Sequence, residues 1–287
     1  MKTRFYLITA SLIVLSFLSC QKDSSFIEQA GLDLADDDAV SDAIYEDVFS
    51  TADNVSIILD KLVKSGDSKS ETVLSDSCPS ITITHPVTGI WPKVITVDFG
   101  EGCAGLYEST RSGKIIIEVT GPHLEVGAKR TVTFENYYFN GIKVEGTKVV
   151  ENTGYNSNEN LVCSVKLKDG KLTLPGGKFI ERSFEHQREW IAGLLTRNIW
   201  DDEILITGSA NGINIDGISY TNTIMTALHW KRACFFIVSG IVKIERESKA
   251  VIELDYGSGE CDAKAVVIKG GESKEILLRH KHRSLDQ

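Results

Sequence analysis

Proline, methionine and histidine are scarce in this chain, with 5, 2 and 6 residues among 287. So few prolines leave its strand-like runs almost unbroken, which suits a sheet because proline cannot donate to the ladder. Positive charge is also short. Lys and Arg total 31 against 40 Asp and Glu, a net charge of −9. That deficit argues against nucleic acid, whose phosphates need Lys and Arg to displace counterions. No Gly-Lys-Ser/Thr follows a glycine-rich turn, so a nucleotide loop is excluded. Gly-x-Ser-x-Gly and His-Glu-x-x-His are both missing. No cysteine has a second at two- to four-residue spacing, which argues against zinc. We expect no metal site, no cofactor and no catalytic constellation.

What is present begins with an export leader. Lys2 and Arg4 precede an uncharged run from Phe5 to Ser19, shorter than the about 20 apolar residues of a membrane span. Ser19-Cys20 resembles the lipobox of bacterial lipoproteins, in which the cysteine is acylated and becomes the N-terminus. That resemblance implies a signal peptide over 1–19 and a lipid on Cys20. Acyl chains would then supply the membrane attachment, since an acidic surface has no electrostatic grip on anionic lipid.

Residues 20–39 are polar and acidic, with Asp36, Asp37 and Asp38 in a row, and read as a lipid-anchored tether. Gln21-Lys22-Asp23 resembles in part the surface-export signal of Bacteroidota lipoproteins. From 40 to 64, Val40, Ile44, Val48, Ala52, Val55, Leu59 and Leu62 recur at helical steps, which predicts one amphipathic helix. Residues 65–77 are rich in Ser and Asp and read as a linker.

From Cys78 onward the pattern alternates. Ile115, Ile117 and Val119 mark one strand, Val132 and Phe134 a second, Ile204 and Ile206 a third. Asn140-Gly141, Asp169-Gly170, Gly176-Gly177, Asn211-Gly212, Asp216-Gly217 and Gly270-Gly271 read as hairpin turns. The expected fold is mostly β, with antiparallel sheets wet on at least one face.

Two segments within this body (78–287) match. The first runs from Cys78 through Ile81 and Ile83 to Asp98-Phe99-Gly100-Glu101-Gly102-Cys103. The second runs from Cys234 through Phe236 and Val238 to Asp255-Tyr256-Gly257-Ser258-Gly259-Glu260-Cys261. We read an internal repeat of two hairpins, each with its ends near enough for a disulfide. The expected pairs are Cys78–Cys103 and Cys234–Cys261, each contributing about 3 to 4 kcal/mol in the chain-entropy model. Cys163 is left over, as a buried small hydrophobe.

The stretch from Cys78 to Arg279 resembles a family of Bacteroidota lipoproteins without an assigned activity. The resemblance is carried by Asp98-Phe99-Gly100 with Cys103, Thr110-Arg111-Ser112-Gly113-Lys114-Ile115, Phe134-Glu135-Asn136-Tyr137-Tyr138 and Asn140-Gly141-Ile142-Lys143-Val144-Glu145-Gly146-Thr147. Arg188-Glu189-Trp190 and Ile206-Thr207-Gly208-Ser209-Ala210 add to it. It implies an exported, β-rich lipoprotein.

Candidate chemistry is thin. His186 with Glu185, Arg188, Glu189 and Asp201-Asp202-Glu203 could be drawn as an acid–base cluster, yet Glu185 and His186 fall on opposite faces of a strand. The run 211–217 fails as a calcium loop, since the first ligand position would be Gly212 and the closing Glu position is Thr223. Trp190 and Trp200 are a candidate ligand platform for glycans. The expectation is a lipid-anchored envelope protein, on the periplasmic or surface face of the outer membrane. It would act as a non-enzymatic binding or scaffold module, with the membrane, a glycan or another envelope protein as partner. A glycan-acting hydrolase with an acidic site is the alternative.

Overall fold

The structure is a computed structural model describing residues 41–42, 44–46, 48–49, 51–53, 55, 71–75, 78–84, 90–104, 109–196, 198–234 and 236–278. The leader, Cys20 and the tether lie outside them, as does the end of the expected helix.

One antiparallel sheet of fifteen strands dominates the described residues. In chain order these are β1 (Glu71–Ser75), β2 (Ser80–Thr84), β3 (Lys93–Asp98), β4 (Cys103–Ala104), β5 (Thr110–Val119), β6 (Lys129–Phe139), β7 (Ile142–Tyr155) and β8 (Leu161–Thr173). Then come β9 (Phe179–Ala192), β10 (Glu203–Ile213), β11 (Ser219–Lys231), β12 (Phe236–Glu245), β13 (Ile252–Ser258), β14 (Lys264–Lys269) and β15 (Glu272–Leu277). Each strand pairs with the next, except that the short β4 sits beside β5 while β3 pairs with β5 directly. The sheet is therefore a continuous meander, the arrangement that short connections favour.

Period-two alternation divides the sheet into two faces. Ile115, Ile117, Val132, Val150, Val165 and Phe184 point inward and are buried. The outward face carries cross-strand ion pairs: Lys166–Glu185 at 3.2 Å, Lys129–Glu151 at 3.3 Å and Lys264–Glu275 at 3.0 Å. Such exposed pairs stabilise little, but they keep that face wet.

The described residues between 41 and 55 are helical. Ile44, Tyr45, Val48, Phe49, Ala52 and Val55 are buried in one cluster with the inward residues of β2 through β9. Burying a side chain the size of Val, Ile or Phe is worth about 1.5 to 3 kcal/mol, so this contact holds the helix on the sheet. A second cluster, around Ile204, Leu228, Ile244 and Leu254, lies on β10 through β14. Trp190 packs against both clusters.

Three details differ from the sequence reading. The stretch 65–77, expected to be a linker, contains β1, where Thr72 pairs with Ile83 and Val73 with Thr82. Thr-Val-Leu has strand propensity, and an edge strand needs only one partner. Asp169-Gly170 lies inside β8, where the register shifts between Leu167 and Gly170, so these residues form a bulge rather than a turn. Asn211-Gly212 lies inside β10 in regular register with Ser183 and Arg182. A Cβ on Gly212 would stand 2.2 Å from the Glu181 carbonyl oxygen and 2.9 Å from Tyr220 Oη. Close approach, not turn geometry, requires that glycine.

Candidate functional site

The inward face under the helix is strongly basic. Arg130 on β6, Lys148 on β7, and Arg182 and Arg188 on β9 are all buried there. They occupy core-phase positions of the alternation, Arg130, Lys148 and Arg182 two residues from Val132, Val150 and Phe184, and Arg188 four from Phe184. The helix answers with carboxylates. Asp42 meets Arg182 at 2.7 Å, Glu46 meets Arg188, and Asp53 meets Arg130 at 2.8 Å. Steps of four and eleven residues put these three acids on one flank of the apolar stripe.

Dimensions fit this docking. Asp42 to Asp53 spans about 16 Å along a helix, and β9 to β6 is three strand steps, about 14 Å. Arg182 stands opposite Gly170, while Arg130 stands opposite Val150 further along the sheet, so the helix crosses diagonally. Tyr45 Oη donates to the Glu145 carbonyl at 2.9 Å, and Phe49 meets Phe184 edge-on at 6.2 Å. Gly170 makes room for this crossing, since a Cβ there would lie 2.4 Å from the Arg182 carbonyl oxygen and 2.8 Å from Tyr45 Oη.

Burial sets the protonation states. Lys148 Nζ stands over the Phe49 ring, and desolvation pulls its pKa well below the usual lysine range. Burial alone would raise the Asp53 carboxyl, but Arg130 and Lys148 outweigh it and leave Asp53 below its ordinary value. The Arg130–Asp53 pair is close without an aligned N–H, so its attraction is ionic rather than a directed hydrogen bond. His186 stacks on Phe184 at 4.3 Å. Burial, followed by the charges of Arg182 and Lys148, lowers its pKa to about 3.

Beyond the helix, a cavity of about 10 Å³ is lined by His123, Arg130, Asn152 and Cys163, with Gly121, Ala128 and Val150. That is room for about one water. Burial, then Arg130, takes His123 down to about 4, and burial pushes the Cys163 thiol up to about 11. At neutral pH both are uncharged, so neither is an activated nucleophile or a charged acid. An open depression of about 300 Å³ on the outward face is lined by Lys166, Lys168, Ser183, Glu185, Ser209 and Asn211 among others.

The residues singled out from sequence are placed as follows. Cys78 and Cys103 stand at disulfide distance, Cα–Cα 5.7 Å, as do Cys234 and Cys261 at 5.3 Å. Cys163 is free and buried. Trp190 is spent on the two hydrophobic clusters, its ring 6.5 Å from His123. Trp200 sits in a 3-10 turn begun by Asn198 and is 47% exposed, so the two indoles do not share a solvent face. The drawn acid–base cluster is dispersed: Glu185 pairs with Lys166, Asp202 with Arg232, Glu203 with His229, and Glu189 accepts from Asn156 and Asn160. Sequence reasoning missed the inward cations. Their signal was phase, a charge where an apolar residue should recur.

Fold and site together define a class: an all-β meander whose inward face at β6 to β9 is covered by its own helix, docked by apolar contact and matched to the sheet in charge. Compared with known proteins, the chain matches no family model, no curated protein and no solved structure. Among the described residues, no helix is long and apolar enough to cross a membrane.

Proposed function

We propose that the chain is a lipid-anchored cell-envelope protein, held at the outer membrane through Cys20, that acts as a non-enzymatic binding or scaffold module of the Bacteroidota lipoprotein kind. One observation carries the non-enzymatic part. His123 and Cys163 face a space for a single water, His186 is stacked on Phe184, and burial holds all three neutral. The inward face at β6 to β9 is covered by the helix, so contacts there with a glycan or another envelope protein fall to the outward face and the loops. The hydrolase alternative has one carboxylate in the outward depression, Glu185, tied to Lys166; glycoside cleavage uses two.

We take the helix as amphipathic over 40–64 and the two stapled hairpins as copies of one segment. Matched turns support the second point: Gly100 N donates to Asp98 Oδ1 and Gly257 N to Asp255 Oδ1, both at 2.8 Å.

Metabolic labelling with a fatty acid tests the anchor. Label should enter the wild-type chain and be lost in Cys20→Ser, and equal labelling of both would defeat the assignment. Incubation with envelope polysaccharide tests the rest. Retention without new reducing ends supports binding, and release of reducing ends overturns it in favour of the hydrolase.

A further inference from the structure

The two ends of the sheet are unlike. Because every neighbouring pair is antiparallel, β5, β7 and β9 all run toward the same end. Their connections, 120–128, 156–160 and 193–202, therefore lie side by side. A Cβ on Gly154 would sit 3.8 Å from Val126, which places the first connection against the end of β7. At this end Leu124 is 43% exposed, Val126 63%, Tyr155 52%, Leu195 85% and Trp200 47%. At the opposite end the connections include the short turns Asn140-Gly141, Gly176-Gly177, Asp216-Gly217 and Gly270-Gly271.

We propose that this apolar rim is a bilayer-contact surface, which seats the protein on zwitterionic lipid. The inference rests on the lipid-anchored reading and says which way the anchored domain faces. Three arguments select lipid as the occupant. First, the exposed side chains stand on two loops and, between them, at the end of β7, in steps of about 10 Å, two strand spacings. Such a row of protrusions enters an acyl and headgroup layer more readily than it forms a contiguous protein interface. Trp and Tyr are among them, the residues that settle at membrane interfaces.

Second, the tether reaches. Cys20 to Ser41 covers up to about 70 Å when extended. Asp42 lies beside Arg182, ten residues short of Ala192, about 33 Å below the rim. Acyl chains and rim can thus occupy one bilayer. Third, charge selects the lipid. The chain carries −9 overall and its outward face holds Lys–Glu pairs, so contact is confined to the rim and anionic headgroups are disfavoured.

The test uses the full lipidated protein in phosphatidylcholine–phosphatidylethanolamine vesicles containing brominated lipid, with tryptophan quenching as the readout. Quenching is expected in wild type, and Trp200→Phe should remove most of it. Val126→Asp with Leu195→Asp should reduce quenching at least tenfold while the melting curve and vesicle retention stay unchanged. Absence of quenching, or equal quenching in Trp200→Phe, overturns the rim. So does self-association through the rim with Trp200 left unquenched, or stronger contact with anionic vesicles. Fatty-acid labelling of Cys20 is scored separately: label without quenching sinks the rim alone, and quenching without label sinks the anchor alone.

Discussion

Replacing Arg130 by Met would leave Asp53 facing the inward surface without its partner. At the observed 2.8 Å, an effective dielectric near 20 gives an attraction of about 6 kcal/mol. Desolvation of the two ions offsets most of it, so the intact pair is nearly neutral for stability. Removing one partner exposes the offset cost, typically about 3 to 5 kcal/mol. Asp53 is only partly buried, so about 3 kcal/mol is the figure expected for Arg130→Met. Asp53→Leu should cost a similar amount, whereas the double variant Arg130→Met with Asp53→Leu should cost under about 1 kcal/mol. The implied coupling is then at least about 2 kcal/mol, as for groups in direct contact. Urea unfolding at pH 7.5, followed by far-ultraviolet circular dichroism and tryptophan fluorescence, would read the single variants as midpoint drops on the order of 1 M. If either single variant shifts stability by less than about 0.5 kcal/mol, or the two effects simply add, the buried Arg130–Asp53 contact between helix and sheet is refuted.

Acid should loosen the same region. The folded-state pKa values of His186 and His123 lie at about 3 and about 4, below the about 6.5 of an unfolded histidine. The unfolded chain therefore binds more protons, and stability rises with pH through that window. The histidine contribution to the urea midpoint should be complete above about pH 6.5 and be lost toward pH 4, and His186→Gln should flatten part of that slope. Gly170→Ala forces a Cβ into the Arg182 carbonyl and Tyr45 Oη and should cost about 1 to 3 kcal/mol in thermal unfolding, while Tyr45→Phe should lose about 1 kcal/mol with the hydrogen bond to the Glu145 carbonyl. Non-reducing peptide mapping should recover Cys78–Cys103 and Cys234–Cys261, with Cys163 alkylated only after denaturation; a peptide joining Cys163 to another cysteine defeats that pairing.

Much of the sheet was legible because alternation is a local signal. Ile115, Ile117 and Val119 announce β5 without reference to anything distant. The staples were legible for a similar reason, since each cysteine pair, 25 or 27 residues apart, frames two strand-like runs. What could not be read was which polar residues point inward. Arg130, Lys148, Arg182 and Arg188 look like solvent-face residues until the strand phase is counted, and their neutralising acids lie more than 75 positions upstream. Asp42, Glu46 and Asp53 in turn look like the wet side of a helix. Only the diagonal docking brings the two sets together. Asp169-Gly170 failed as a turn for the same reason: the glycine answers to Tyr45, 125 residues away in sequence.

The two cystine-framed hairpins point in opposite senses. Nine pairings separate β2 from β12 along the meander, and an odd number of antiparallel steps reverses direction. One brace therefore clamps the bottom of one flank and the other clamps the top of the far flank, like bolts at diagonal corners of a plate. A reductant would free both outer margins while leaving the middle, pinned by the helix, in place. In a reducing milieu the central strands would then be the last part of the molecule to come apart.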